Sequence, residues 1–169
     1  EFIEDELLGI RFRISCRSFF QVNPEMTERL YSQALEYASL TGNERVLDIY
    51  CGIGTISLCA AKSAKHVTGV EIVPEAVENA RENARINNID NAVFYAESAE
   101  SIVPKLIKAG ERPDVVILDP PRKGSDAATL AAILDAAPKR IVYVSCDPAT
   151  LARDAKILAE GGYDITAAQ

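Results

Sequence analysis

Metal-binding and cross-linking side chains are scarce in this chain. It holds one histidine, His66, and four cysteines, Cys16, Cys51, Cys59 and Cys146, none of them in a CxxC pair. That excludes the usual zinc arrangements and a disulfide framework, so no metal is expected. No apolar run approaches the roughly 20 residues of a membrane span, so no membrane is expected. No signal-peptide pattern opens the sequence, and free thiols without an export signal point to a reducing cytoplasm. Positive charge is also short. The 18 Lys and Arg against 25 Asp and Glu leave a net charge of −7, which argues against gripping nucleic acid by bulk electrostatics alone. Linkers, repeats and low-complexity segments are missing. What remains, 169 residues at 48% apolar, fits one domain with a sizeable core.

The chain is organised around residues 46–55, VLDIYCGIGT. Val46, Leu47 and Ile49 are β-formers, Asp48 and Tyr50 close the strand, and Gly52 and Gly54 sit in a tight turn. A helix starts at Thr55. Strand, glycine turn and helix are how an open α/β sheet offers backbone N–H groups to a nucleotide-like ligand. A third glycine would complete the dinucleotide fingerprint, and Ser57 stands in its place.

Taken in order, residues 1–9 read as an acidic, frayed start. Residues 11–16 alternate as a half-buried strand, with Arg11 and Arg13 on the polar face. Phe19 and Phe20 read as core and Gln21 as a loop residue. Asn23-Pro24 is an N-cap followed by proline at the first helical position. The helix it opens runs to about Ala38, with Met26, Leu30, Ala34 and Tyr37 at helical spacing. Residues 66–72 are the second strand after the glycine turn. Glu71 ends it, placed to accept both hydroxyls of a ribose. A helix follows over 74–87, burying Val77, Ala80 and Ala84, with Asn87-Asn88 suited to a left-handed end. Residues 92–97 are a third strand of the sheet, with Glu97 and Ser98 at its carboxyl end; Ser98 also suits the N-cap of a helix over 99–109. Residues 114–119 are apolar on both faces and therefore central. Residues 140–145 are a fifth strand, 148–160 a further helix stopped by Gly161-Gly162, and 163–167 the start of a sixth strand. The alternation predicts a doubly wound, mostly parallel α/β sheet.

Two turns carry the chemistry. DPPRKG, residues 119–124, leaves the fourth strand. Its two prolines stiffen the backbone and leave carbonyl acceptors, Asp119 is held at the sheet edge, and Arg122 and Lys123 can meet phosphate. A rigid, acceptor-rich turn suits a planar ring with N–H donors. SCDP, residues 145–148, leaves the fifth strand, with Asp147 as N-cap. Cys146 then lies between strand end and helix start, where the helix dipole favours a thiolate. Cys16 and Cys59 read as structural and Cys51 as placed for its small size.

With VLDIYCGIGT, Glu71, DPPRKG and VSCDPATLARD on the page, the chain resembles the RNA uracil-5-methyltransferase family from about residue 12 to 169. SFFQVN, DPPR and SCDP carry the resemblance more specifically than the glycine turn. It implies a Rossmann-like methyltransferase fold, S-adenosylmethionine as methyl donor, and 5-methyluridine in RNA as product, with rRNA expected ahead of tRNA. It places Gln21, Tyr50, Thr55, Glu71 and Asp119 around the cofactor and target base. Ser98 falls at a further cofactor contact, and Cys146 becomes the nucleophile. Residues 1–23 would be a lead-in strand and loop and residues 24–169 the catalytic domain. Carbon 5 of uracil is a poor nucleophile, and adding a thiolate at carbon 6 makes an enolate whose carbon 5 can attack the methyl. A base must then remove the carbon 5 proton. The family draws that base from a glutamate beyond the sixth strand, so a segment ending at Gln169 is expected to lack it, along with an N-terminal RNA-binding domain. Three other readings compete: an amino-nitrogen methyltransferase with an incidental Cys146, an NAD-dependent dehydrogenase, and a non-catalytic RNA-binding module.

Overall fold

The structure, a computed structural model, describes residues 2–15 and 23–169. A parallel sheet of five strands forms its centre, in the order β5-β4-β3-β6-β7. The strands are β3 (Arg45–Ile49), β4 (His66–Glu71), β5 (Ala92–Ala96), β6 (Val115–Leu118) and β7 (Arg140–Tyr143). Helices α1 (Pro24–Ala38), α2 (Thr55–Ala61), α3 (Pro74–Ile86), α4 (Ala99–Lys108), α5 (Ala127–Ala136) and α6 (Pro148–Glu160) connect or flank them.

Side chains alternate across a strand, and β6 shows what that does here. Val115 and Ile117 enter one core with Leu58, Val77 and Ala80 of α2 and α3. Val116 and Leu118 enter a second core with Val103, Leu130 and Ile133 of α4 and α5. All four are buried, which is why the strand is apolar throughout. The fold is thus doubly wound, as its alternating elements predict.

The acidic opening is a strand, not a frayed end. β1 (Phe2–Leu7) pairs antiparallel with β2 (Ile10–Ser15), from Phe2↔Ser15 to Leu7↔Ile10. Leu8 and Gly9 turn the chain with φ of +51° and +72°, the left-handed pair that a two-residue hairpin needs. Leu7, Ile10, Phe12 and Ile14 pack into the first core. The far edge of β2 is met by side chains of α3 and its cap. Arg11 N donates to Asn87 Oδ1 (2.9 Å), Arg13 N to Asn83 Oδ1 (2.8 Å), and Asn87 Nδ2 to Arg11 O (2.6 Å).

Three other expectations shift. The buried stripe of α1 is Thr27, Tyr31, Ala34 and Ala38, while Met26 and Leu30 are exposed. α5, not placed from the sequence, starts on Asp126, whose side chain accepts from Thr129 N. Residues 163–167 form no strand: Tyr163 N bonds Leu158 O and its hydroxyl bonds Pro138 O (2.7 Å), tying the chain to the end of α6. Ile165 is exposed, with no core face to enter.

Candidate functional site

Parallel register brings the predicted site residues to one edge. Ile49 lies beside Val70 and Leu118, and Leu118 beside Tyr143. Tyr50, Glu71, Asp119 and the Ser145–Asp147 turn therefore all lie at the carboxyl ends of neighbouring strands. This is the crevice where open α/β sheets bind ligands, between strands whose connections wind in opposite directions. Gln21, with Phe19, Phe20 and Cys16, lies outside the described residues.

The strand β3 ends one residue early, at Ile49. Tyr50 turns out of it with φ +66°, a conformation unfavourable for a bulky residue. Its hydroxyl meets Ser125 Oγ at 3.0 Å. Gly54, φ +84°, caps α2, and a Cβ there would lie 3.2 Å from both Ala80 and Phe94. Gly52 differs: its missing Cβ would point into open space. Gly52 N donates to Glu71 Oε2 (3.2 Å) and Val73 N to Glu71 Oε1 (3.0 Å). The carboxylate at the end of β4 is thus fixed beside the glycine turn, with acceptor capacity left on both oxygens. Ile72 and Val73 are exposed apolar neighbours of that carboxylate, with no motif in the sequence to mark them. Thr55 Oγ1 pairs at 3.4 Å with the hydroxyl of buried Tyr31, whose burial pushes its pKa to about 12.

Asp48 does not close its strand but sits inside it, 1% exposed, and accepts a hydrogen bond from Ser57 Oγ. Ser57 therefore has work where a third glycine would have none. Burial is the main cause lifting Asp48 to a pKa of about 7; the Ser57 bond opposes it and the charge of Asp119 adds to it. Asp119 itself is pushed up to about 6 by burial, and no described residue donates a hydrogen bond to its carboxylate. Beyond it, Gly124 N donates to Pro121 O (2.8 Å), closing the proline turn, and Arg122 is exposed.

Cys146 is a free, exposed thiol. Its turn is pinned from both sides: Ser145 Oγ donates to Asp147 O (2.9 Å) and accepts from Asp147 N (3.1 Å). Asp147 Oδ1 then caps α6 by accepting from Ala149 N and Thr150 N. Cys51 and Cys59 are buried, and burial raises both thiols, Cys59 to about 12. Among the described cysteines, only Cys146 is accessible to a ligand.

Ser98 stands at the N-cap of α4, half-buried, without using its side chain as a cap. Glu97 is already committed to Ser101 Oγ and Lys105 Nζ. No group of three His, Cys, Asp or Glu among the described residues could hold a metal ion, and no helix among them is long and apolar enough to cross a membrane.

The family described as tRNA (uracil-5-)-methyltransferase matches residues 3–164. Among curated relatives, an uncharacterised RNA methyltransferase of Listeria innocua is 58% identical over 97% of this chain, and one of Clostridium acetobutylicum is 56% identical over 99%. The chain spans 36% of the length of each. Among solved structures, the Pyrococcus abyssi tRNA (uracil-54, C5)-methyltransferase in complex with S-adenosyl-L-homocysteine is 36% identical. It superposes with a TM-score of 0.81 over 93% of this chain and 38% of its own.

Proposed function

The chain belongs to the tRNA (uracil-5-)-methyltransferase family, and from that premise we propose that it carries the cofactor-binding and nucleophile-bearing part of an RNA-modifying enzyme. The reaction is transfer of a methyl group from S-adenosylmethionine to carbon 5 of a uridine in RNA, rRNA ahead of tRNA, in the cytoplasm. Residues 24–169 carry it. The observation behind this reading is the exposed, pinned thiol of Cys146 at the same sheet edge as Asp119 and the glycine turn.

The residues fit the cofactor. Open space over Gly52 admits a ligand against the backbone, and Glu71 has acceptors for two ribose hydroxyls. Ile72 and Val73 offer an apolar surface to a purine. Gln21, Tyr50, Gly54, Thr55 and Ser98 complete the proposed set. When bound, S-adenosylmethionine supplies a methyl group on a positively charged sulfur. Asp119, without a donor among the described residues, accepts from ring N–H groups, and Arg122 meets a backbone phosphate. Cys146 Sγ bonds to carbon 6 of the uracil. The electron pair of the 5,6 double bond then makes carbon 5 nucleophilic, and after methylation a base removes the carbon 5 proton while the sulfur–carbon bond breaks.

Incubating the intact protein with labelled S-adenosylmethionine and either rRNA or tRNA tests this. Label recovered as 5-methyluridine supports it, with rRNA the better acceptor and Cys146→Ala inactive although still binding cofactor. Label on an amino nitrogen, or full activity in Cys146→Ala, contradicts it.

A further inference from the structure

The loop after β6 and the end of β7 meet on one buried carboxylate of α6 that none of the proposed chemistry uses. Asp154 on α6 is 0% exposed. Its Oδ2 accepts from Ser125 N (2.7 Å) and the Tyr143 hydroxyl (2.6 Å), and its Oδ1 accepts from Arg153 Nε (2.8 Å). Arg153 Nη2 reaches on to the carbonyls of Lys123 (3.0 Å) and Ser125 (3.1 Å), and Thr150 Oγ1 to that of Arg122 (3.2 Å). Gly124 makes the approach possible. It has φ +77°, and a Cβ would fall 2.5 Å from Arg153 Nη2 and 2.7 Å from Asp154 Oδ2. The chain of contacts ends where Ser125 Oγ holds the Tyr50 hydroxyl.

We infer that Asp154, with Arg153 and Ser125, is a positioning centre that locks the turn after β3, the proline turn after β6 and the cysteine turn before α6 into one geometry. The inference rests on the proposed function, since those three turns hold cofactor, target base and nucleophile. A buried charge adds little net stability compared with a well-packed apolar group, but a fully bonded network selects one arrangement of its donors. Four of the donors and acceptors here are backbone atoms of residues 122–125, which follow directly on the proline turn. A further link, through Ser125 Oγ, fixes a tyrosine whose backbone is in a strained conformation. Burial alone would disfavour the Asp154 carboxylate; Tyr143, Ser125 and Arg153 outweigh it and hold its pKa below the ordinary value, so the centre stays charged at neutral pH.

The test uses the intact protein and three readouts: melting temperature, calorimetric Kd for S-adenosylmethionine, and single-turnover methylation rate. The variants are Asp154→Asn, Ser125→Ala, Tyr50→Phe, the Ser125→Ala/Tyr50→Phe double, and Val142→Ala as a purely packing control from β7. Asp154→Asn, well below its melting temperature, is expected to slow turnover about 10- to 100-fold, as misplacement of reacting groups does. Val142→Ala is expected to lower the melting temperature and leave the rate unchanged. Ser125→Ala is expected to raise the cofactor Kd about fivefold, the worth of one hydrogen bond. Adding Tyr50→Phe should cost nothing more, because both changes break the same link. Turnover in Asp154→Asn equal to that in Val142→Ala, or additive effects of Ser125→Ala and Tyr50→Phe, overturns the inference. If Asp154→Asn does not fold, the Ser125/Tyr50 cycle decides alone. A wild-type protein that binds no S-adenosylmethionine overturns the proposed function and this inference with it; normal wild-type binding with unaltered variants overturns the inference only.

Discussion

Asp48 places a carboxyl inside a central strand with Ser57 as its hydrogen-bond partner, and its chemistry follows from that. Water is excluded, so the neutral form is favoured and its pKa stands at about 7 against an ordinary 3.8. In that interval the folded protein holds a proton that the unfolded chain has released. Stability is therefore fully present below about pH 4 on this account and falls as pH rises towards 7. Asp119, lifted to about 6, adds to the same slope over a narrower window. Asp48→Asn keeps an acceptor for Ser57 Oγ and removes the titration. It should raise stability at pH 8 by about 1–3 kcal/mol and flatten the pH 4–7 slope; urea titrations across that range check it. A slope unchanged by the substitution would show that Asp48 is charged in the fold. Cys146 is the opposite kind of residue, open to solvent in a turn that the Ser145 hydroxyl closes onto the Asp147 backbone, whereas Cys51 and Cys59 are shut inside.

Among the elements, those whose signals are local were legible from the sequence. Asn23-Pro24 and Asp147-Pro148 mark helix starts because cap and first-turn proline act within three residues. β6 is central because it is apolar on both faces. Of the hairpin, β2 was legible from its alternation, but β1 and the turn were not: acidic residues hide the alternation of β1, and Leu8 stands where Asn or Asp would announce the turn. The hairpin's anchoring to Asn83 and Asn87 spans 70 and 76 positions. Asn87→Ala should leave α3 intact while releasing the Arg11 N–H, so amide exchange at Arg11 should speed up with little change at Val77. Equal protection in both proteins would show that packing alone holds β2. In the site, the placement of Tyr50 and Cys146 at the carboxyl ends of their strands could be read from their motifs. The partner Ser125, 75 positions from Tyr50, and the carboxylate of Asp154 could not, since nothing local distinguishes them from loop and helix residues.

For the whole molecule, one sheet serves two cores and ends in one crevice. β6 lies between them, and its Ile117 faces the first core only, so a cavity there tests whether the two cores unfold together. Ile117→Ala should cost about 2–5 kcal/mol and lower the urea midpoint without changing the slope; a split transition would show that the two faces unfold separately. The same topology explains why the candidate site draws on residues from Tyr50 to Asp147: parallel strands bring every carboxyl end to one side. What the account claims above all is that the thiol at that edge bonds to the ring. The direct measurement is a denaturing gel of the intact protein mixed with S-adenosylmethionine and RNA carrying 5-fluorouridine, where fluorine replaces the proton a base must remove and the sulfur cannot leave. The account predicts a slower band that contains both protein and RNA and disappears in Cys146→Ala. No such band from an active protein, or an undiminished band in Cys146→Ala, would contradict it.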